Sequence, residues 1–361
     1  MVVELRQSAG TRRTRTPVID CDIHVAPKND QTLSKYMSAQ WREHHATYGG
    51  RGHFGAYYPR ANMNAARTDS WPTVGGPPGS DLPFLQEQLI NGWGMDFGIM
   101  TPLLGGGGQT NLDYGNALAH AINEWQLAEW TELDPRMKPT ISVDYEDSDA
   151  AVAEIELYGN DKRFAEVLLV ARTNEPLGRR KYWKMYEAAC KHDLPIGIHF
   201  GGSGGAPNTG AGWPSFYYED HCGMPTAFEA QVISMVFEGI FERFPTLRIV
   251  LIEGGFAWLP PLCWRMDNAY KKLKSEVPHL KKLPSEYVKD HIWLTTQPVE
   301  EPTNPAHFHD ILRLIGPDKL MFATDYPHWD FDAPDAVFPT RVSEEIEVAI
   351  MAENARAFYK L

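Results

Sequence analysis

The chain has 361 residues, of which 34 are Lys or Arg and 47 are Asp or Glu, so its formal net charge at pH 7 is -13. This excess of negative charge argues against nonspecific binding to nucleic acid or to anionic lipid. Hydrophobic residues make up 43% of the chain, enough for a large core. No apolar run approaches the roughly 18 residues of a membrane span, so no membrane partner is expected.

Eight short apolar runs predict buried β-strands, and segments of helical periodicity follow most of them. The predicted strands are 17–22, 96–101, 139–143, 166–170, 195–200, 248–252, 291–296 and 319–324. The predicted helices are 116–133, 180–192, 224–244, 260–276, 305–315 and 341–359. This alternation is typical of an α/β fold of the (β/α)8 type, the TIM barrel. The alternative, a doubly wound open sheet, usually has a glycine-rich turn after its first strand, and the residues after position 22 do not resemble one.

The chain is longer than the roughly 250 residues of a bare barrel. We predict a disordered basic tail at 1–16 and a single barrel domain at 17–361 with long insertions at 25–95 and 201–223. Both insertions follow the C-terminal ends of strands, which form the catalytic face of such barrels. The tail has no apolar segment of the kind found in signal peptides, and the four cysteines have no CxxC spacing, so a cytoplasmic location is expected.

Ionisable residues stand at the ends of four predicted strands. On the first strand, Asp20, Asp22 and His24 occupy alternate positions, which predicts that they share its barrel-facing side. The others are His199 on the fifth strand, Glu253 on the sixth and Asp325 on the eighth. Barrel closure would gather these ends around one mouth, where buried charges need partners. Their nitrogen and oxygen donors suit a divalent metal such as Zn, Mn or Fe.

These residues lie in motifs that resemble the amidohydrolase superfamily, in its amidohydrolase-related branch, which is similar to aminocarboxymuconate-semialdehyde decarboxylase. The resemblance extends from about residue 17 to the C-terminus. The motifs are Ile19-Asp20-Cys21-Asp22-Ile23-His24, His199, Glu253-Gly254-Gly255-Phe256-Ala257-Trp258 and Thr324-Asp325-Tyr326-Pro327-His328. The resemblance implies a (β/α)8 barrel with one catalytic divalent metal. It assigns the metal ligands to Asp22, His24, His199 and Asp325.

Two positions depart from the family pattern. Family members often begin with His-x-His, whereas position 22 is Asp, and their sixth strand commonly ends in His, whereas position 253 is Glu. Both changes add a carboxylate. Glu253 is therefore a further candidate ligand, and one or two metal ions per chain are compatible with the donor set.

Three functions remain open at this point. The first is a metal-dependent hydrolase or decarboxylase of a small organic acid, amide or amino acid derivative, using a metal-bound water or a metal-bound substrate carboxylate. In it, Asp325, Glu253 and His328 are the candidate catalytic acids and bases. The second is a dinuclear non-haem Fe/Mn monooxygenase, for which similar family members give a precedent. The third is a partner subunit of such an enzyme.

Five other residues are candidates for substrate binding. Arg172 follows the fourth strand and could clamp a carboxylate, although a surface salt bridge is the alternative. His221 lies in the second insertion and could face the mouth or be a solvated loop residue. Trp213, Trp258 and Trp329 are candidates for the pocket wall or for ordinary loop packing. We also expect a homo-oligomer, in the simplest case a dimer, or an assembly with a similar partner chain.

Overall fold

The computed structural model describes residues 16–50, 65–202 and 210–361. The predicted tail therefore lies outside the described residues, except for its last position. Each of the two predicted insertions is described in part.

Parallel strands form the wall of the barrel, and their positions confirm all eight predicted strands. The strands are β1 (Ile19–Ile23), β2 (Phe97–Met100), β3 (Met137–Lys138), β4 (Thr140–Ser142), β5 (Glu166–Val170), β6 (Ile196–His199), β7 (Ile249–Ile252), β8 (Ile292–Thr295) and β9 (Leu320–Met321). Each strand pairs in parallel with its neighbour, except between β3 and β4. Pro139 separates these two, and because proline has no N–H to donate, they form two halves of the third barrel strand.

The wall closes between its last and first strands. The backbone N–H groups of Cys21 and His24 donate to the carbonyl groups of Phe322, at 2.9 Å, and Tyr326, at 2.8 Å. Ile23 also forms a parallel bridge with Tyr326. Because β1 thus pairs on both sides, the sheet has no free edge at this point, and the predicted (β/α)8 barrel is confirmed.

Helices surround the wall. They are α1 (Ala39–Tyr48), α2 (Leu82–Leu85), α3 (Leu112–Gln126), α4 (Ser148–Tyr158), α5 (Trp183–Lys191), α6 (Tyr217–Cys222), α7 (Met224–Phe237), α8 (Ile240–Arg243), α9 (Leu259–Leu273), α10 (Pro284–His291), α11 (Pro305–Ile315), α12 (Glu344–Val348) and α13 (Asn354–Tyr359). Short 3-10 or π segments adjoin several of them, at Leu33–Tyr36, Gln86–Ile90, Leu127–Thr131, Arg180–Tyr182, Lys274–Glu276, Pro317–Lys319 and Ala349–Glu353. In the described part of the chain, no helix has the length and apolar character needed to cross a bilayer.

The sequence periodicity located some helices and missed others. The predicted helix 305–315 coincides with α11, whose apolar residues lie on one face. Helices α1 and α4 were not predicted. Their apolar residues are not concentrated on one face, so they carry a weak helical pattern.

Candidate metal and catalytic site

Four buried donors meet at the mouth of the barrel. Asp22 and His24 come from β1 and the residue after it, His199 ends β6, and Glu253 directly follows β7; one donor atom from each lies within 4.8 Å of the others. Nε2 of His199 is 2.9 Å from Oε2 of Glu253 and 3.4 Å from Oδ2 of Asp22. Nε2 of His24 is 3.7 Å from Oδ1 of Asp22. The predicted grouping of these strand ends is therefore present.

A second group of donors shares His24 with the first. It consists of His24, Asp325 and His328. Oδ1 of Asp325 lies 2.7 Å from Nε2 of His24 and 2.7 Å from Nδ1 of His328. The carboxylate of Asp325 therefore bridges two imidazole rings on the side of the mouth formed by the segment after β9.

The two imidazoles of the first group have a fixed orientation. Nδ1 of His24 is 2.8 Å from the backbone carbonyl of Thr101, and Nδ1 of His199 contacts the carbonyl of Phe200. Because a carbonyl can only accept, each Nδ1 carries the proton and each Nε2 of the neutral ring presents a lone pair. These lone pairs face carboxylate oxygens, so either additional protons or a cation must lie between them.

The unsatisfied atoms of the site show that its residues fit a divalent cation. Both carboxylate oxygens of Asp22 and Nε2 of His199 are buried without a hydrogen-bond partner among the described residues. The contact between His199 and Glu253 is short but does not have the angles of a hydrogen bond. Buried polar atoms are rarely left unpaired, and imidazole and carboxylate donors that converge in this way are typical metal ligands.

The pKa values of the donors are shifted because several ionisable groups lie close together in a buried site. Burial favours neutral groups, but Asp22 and Asp325 raise the pKa of His24 to about 9, while His24 and His199 lower the pKa of Asp22 to about 2. Burial raises the pKa of Asp325 to about 8 against the hydrogen bond from His24. Burial and the charge on His24 lower the pKa of His328 to about 4. Extra protons on the imidazoles and a bound metal are alternative ways to compensate these carboxylates, because metal binding releases protons.

The first strand reaches this arrangement through an irregular register rather than through strict alternation. The pairing of β1 with β2 shifts between Asp20 and Ile23. Ile19 and Cys21 pack with side chains of β5 and β7 inside the barrel, so the prediction that Asp20 shares the inner face does not hold. Asp20 instead accepts hydrogen bonds from the backbone N–H of Thr324, at 2.9 Å, and from its hydroxyl, at 2.5 Å. It thereby ties β1 to the segment that carries Asp325.

Two of the donors also have unusual backbone conformations. Glu253 and Asp325 both have a φ of 60°, in the left-handed region that favours glycine. A non-glycine residue held there costs about 1–3 kcal/mol, and such residues cluster at functional sites.

Arg172 is buried at the same end of the barrel. It follows β5 by two residues, and its backbone N–H donates to the carbonyl of Gly201 at 2.9 Å. Its Nη1 is 3.7 Å from Oδ1 of Asp220, and its guanidinium lies 5.0 Å from the ring centroid of Phe200. Arg172 thus places a buried positive charge next to Phe200, the residue that follows His199 in the chain.

The other predicted binding residues occupy three different environments. His221 and Trp329 lie between α6 and the segment after Asp325: Nε2 of His221 is 2.9 Å from Oδ2 of Asp330, and Nε1 of Trp329 donates to the hydroxyl of Tyr217 at 3.2 Å. Trp258 supports the loop after Glu253, since its Nε1 donates to the carbonyl of Gly254 at 2.9 Å and its ring packs partly against the core. Trp213 lies in the second insertion and is 40% exposed.

Sequence reasoning missed two polar residues next to the donors, Gln297 and Asp330. Gln297 is fully buried, and its Nε2 donates to Oδ2 of Asp325 at 3.1 Å and to Oδ2 of Asp330 at 3.0 Å. It follows β8, so the rule that polar residues after a strand lie at the mouth would have found it. An amide side chain is neither a usual metal ligand nor a clamp for a carboxylate, so the residue type of Gln297 gave no signal in the sequence.

The comparisons with known proteins agree on the family. The family model described as amidohydrolase matches residues 19–361. A γ-resorcylate decarboxylase from Rhizobium sp. (strain MTP-10005) is 26% identical over 269 residues, which cover 68% of this chain and 76% of that protein.

Solved structures resemble the whole barrel. The 5-carboxyvanillate decarboxylase from Sphingomonas paucimobilis has a TM-score of 0.70 at 20% identity, with 96% of this chain and 99% of that one covered. A dihydroxybenzoic acid decarboxylase from Polaromonas sp. JS666, solved with manganese and the inhibitor 2-nitroresorcinol, has a TM-score of 0.65 at 18% identity, covering 96% and 97%. At these identities the similarity establishes the fold, and it gives no support to the monooxygenase alternative. Because the family model spans almost the whole predicted barrel domain, the chain belongs to the amidohydrolase family, in agreement with the resemblance of its motifs.

Proposed function

We propose that this protein is a metal-dependent decarboxylase of an aromatic hydroxy acid. The observation that carries the proposal is the orientation of His24 and His199, whose Nε2 lone pairs face buried carboxylates at the barrel mouth. Relatives that are 25–26% identical to this chain are γ-resorcylate decarboxylases, which favours decarboxylation over hydrolysis.

We assign the metal to Asp22, His24, His199 and Asp325, with Glu253 as a further ligand or as an acid/base. When bound, such an ion supplies Lewis-acid polarisation of substrate oxygens. Manganese is favoured over zinc and iron because a neighbouring decarboxylase structure holds it and because two or three of the ligands are carboxylates. The two donor groups share His24, which has one nitrogen left for a metal, and this favours one ion per chain.

The reaction exchanges a carbon–carbon bond for a carbon–hydrogen bond. An aromatic carboxylate loses CO2, and the ring carbon receives one proton from the protein. Asp325 is suited to pass on that proton, since its carboxylate lies at the mouth between the imidazoles of His24 and His328. Nδ1 of His328 lies 2.7 Å from Oδ1 of Asp325, so this imidazole can relay a proton to the carboxylate by taking one up at Nε2 while it releases the one on Nδ1.

Arg172 is the proposed clamp for the substrate carboxylate or for a neighbouring hydroxyl. Its guanidinium is buried beside Phe200, and Asp220 at 3.7 Å compensates its charge. His221 and Trp329 would close the other side of the pocket, with Trp213 and Trp258 as further candidates for its wall. Aromatic and cationic side chains together suit a flat, anionic ring.

Release of CO2 from a panel of aromatic acids tests this proposal. The manganese-loaded protein should decarboxylate at least one acid with a hydroxyl next to the carboxylate, with 2,6-dihydroxybenzoate and 5-carboxyvanillate as starting compounds. The same protein treated with a chelator is the control and should release none. The proposal is wrong if the metal-loaded protein leaves every aromatic acid intact and instead hydrolyses amides such as N-acyl amino acids.

We further propose a single barrel domain over 17–361 that forms a dimer in the cytoplasm. Free thiols at all four cysteines are consistent with a reducing compartment. Exposed aromatic residues next to the mouth, such as Phe216 at 68% and Tyr218 at 73%, would be covered by a second copy. Light scattering should then give about twice the chain mass of 40.7 kDa, and a mass near the single value would contradict the dimer.

A further inference from the structure

Gln297 links the carboxylate of Asp325 to a second carboxylate farther from the metal ligands. Its amide nitrogen has two hydrogens, and it lies 3.1 Å from Oδ2 of Asp325 and 3.0 Å from Oδ2 of Asp330. The other oxygen of Asp325 faces His24 and His328. Both oxygens of the Asp325 carboxylate are therefore held in place, and Gln297 supplies the contact to one of them.

Asp330 connects this amide to helix α6. Its Oδ2 accepts from Gln297 and also from Nε2 of His221, at 2.9 Å, on that helix. Side chains of His221 and Asp330 are 17% and 13% exposed, so water competes little for these bonds. A hydrogen bond to a charged group in such surroundings is stronger than an exposed one.

A second contact joins the same helix to the same segment without reaching Asp325. Nε1 of Trp329 donates to the hydroxyl of Tyr217 at 3.2 Å. The two contacts can therefore be separated experimentally: one only holds α6 in place, whereas the other also leads to a candidate catalytic carboxylate.

We infer that Gln297 and Asp330 are positioning residues that couple the docking of α6 to the orientation of Asp325. When α6 is docked, His221 holds Asp330, Asp330 holds the amide of Gln297, and the amide sets Oδ2 of Asp325. When α6 leaves, Gln297 loses the partner that fixes its rotamer, and Asp325 loses one of its constraints. The inference rests on the proposed function in that it takes Asp325 to serve the metal and the proton transfer.

Substitution of Asp330 tests this coupling, with two matched variants beside it. Asp330→Ala removes the acceptor of both hydrogen bonds, Asp330→Asn keeps an acceptor oxygen, and Tyr217→Phe removes only the second contact of α6. The measurements are the Mn²⁺ dissociation constant by calorimetry, amide hydrogen exchange of residues 217–222, and kcat and KM on any acid that the enzyme decarboxylates.

For Asp330→Ala we expect Mn²⁺ to bind about tenfold more weakly, α6 to exchange faster, and kcat to fall about tenfold with little change in KM. Asp330→Asn should restore all three values to within about threefold of those of the unmodified protein. Tyr217→Phe should speed the exchange of α6 and leave the Mn²⁺ dissociation constant unchanged. If Asp330→Ala fails to fold, Gln297→Met, which keeps the side-chain length but donates no hydrogen bond, replaces it with the same expectation.

An unchanged Mn²⁺ dissociation constant in Asp330→Ala would overturn the inference, as would an equal loss in Tyr217→Phe. These readouts do not require decarboxylation. Absence of CO2 release by the unmodified protein would therefore contradict the proposed function alone, while weaker Mn²⁺ binding in Asp330→Ala with rescue by Asp330→Asn would still support the coupling.

Discussion

Buried carboxyl groups occur in two sets, the donors at the mouth of the barrel and Glu166 at the start of β5, and Asp22 of the first set is compensated in the opposite way to Glu166. At the mouth, the imidazoles of His24 and His199 keep Asp22 ionised and lower its pKa to about 2, although burial favours its neutral form. At the start of β5, Glu166 is equally buried, but burial raises its pKa to about 8, against a hydrogen bond from Tyr359. The hydroxyl of Tyr359 donates to its Oε2 at 3.1 Å.

The difference shows how burial alone fails to identify a functional carboxylate. A buried acid can remain neutral by keeping its proton, as Glu166 does, or remain charged because cationic groups surround it. Gly197 makes room for the neutral acid, since a Cβ there would lie 2.1 Å from Oε1 of Glu166. The set at the mouth differs further from Glu166, because it has imidazoles of fixed orientation and a left-handed backbone at Glu253 and Asp325.

The largest expected difference between the two sets is in catalysis. Asp325→Asn removes the proposed proton donor, so kcat should fall by about 10²–10⁴-fold at saturating Mn²⁺. Glu166→Gln makes the same chemical change in the other set and should keep kcat within about threefold, because Glu166 takes no part in the proposed reaction. Steady-state kinetics of the two variants measures both kcat values. Equal losses would mean that the two sets do not differ in function.

A smaller difference is expected in the pH dependence of stability. The pKa of Glu166 is raised from 4.5 to about 8, so between these values the unfolded chain has lost a proton that the folded chain keeps. The contribution of Glu166 to stability is therefore complete below about pH 4.5 and declines as the pH rises to about 8, by roughly 4 kcal/mol.

Denaturant unfolding of the wild-type chain and of Glu166→Gln checks this slope. The variant cannot ionise at this position, so the wild-type chain should lose unfolding free energy relative to the variant as the pH rises from 5 to 8. A constant difference between the two proteins over that range would show that Glu166 is already ionised in the fold.

The smallest expected effect concerns the hydrogen bond that supports the neutral acid. Tyr359→Phe removes the donor to Glu166 and should reduce the unfolding free energy by about 1 kcal/mol, without altering Mn²⁺ binding. Thermal unfolding with and without Mn²⁺ measures both quantities. A loss of Mn²⁺ affinity in this variant would mean that Glu166 and Tyr359 support the metal site after all.

The sequence allowed the fold to be predicted because each barrel strand is a continuous apolar run. Its strand-end residues also allowed the donors to be predicted, since Asp22, His199 and Asp325 follow from the rule that parallel strands end at one face. The orientation of Asp20 could not be predicted, because the register shift in β1 depends on pairing with β2 and on Thr324 far along the chain.

The backbone of the site and its supporting contacts were equally inaccessible from one sequence. The left-handed φ of Glu253 and Asp325 is imposed by tertiary packing, since neither residue type favours it strongly. Gln297 and Asp330 meet only when β8 and the segment after β9 lie side by side. Sequence patterns give the location of a strand end, but such contacts depend on the exact path of the chain beyond it.

The donors at the mouth are expected to hold one divalent cation, and a Mn²⁺ titration of the metal-stripped protein tests this most directly. We expect about one Mn²⁺ per chain, with protons released on binding, and affinity reduced at least about 100-fold in His199→Ala, which should keep its fold because only one side chain at the mouth is shortened. Glu166→Gln should bind Mn²⁺ as the wild-type chain does. Failure of the wild-type chain to bind Mn²⁺, Zn²⁺ or Fe²⁺, or unchanged affinity in His199→Ala, would contradict the assignment of this site.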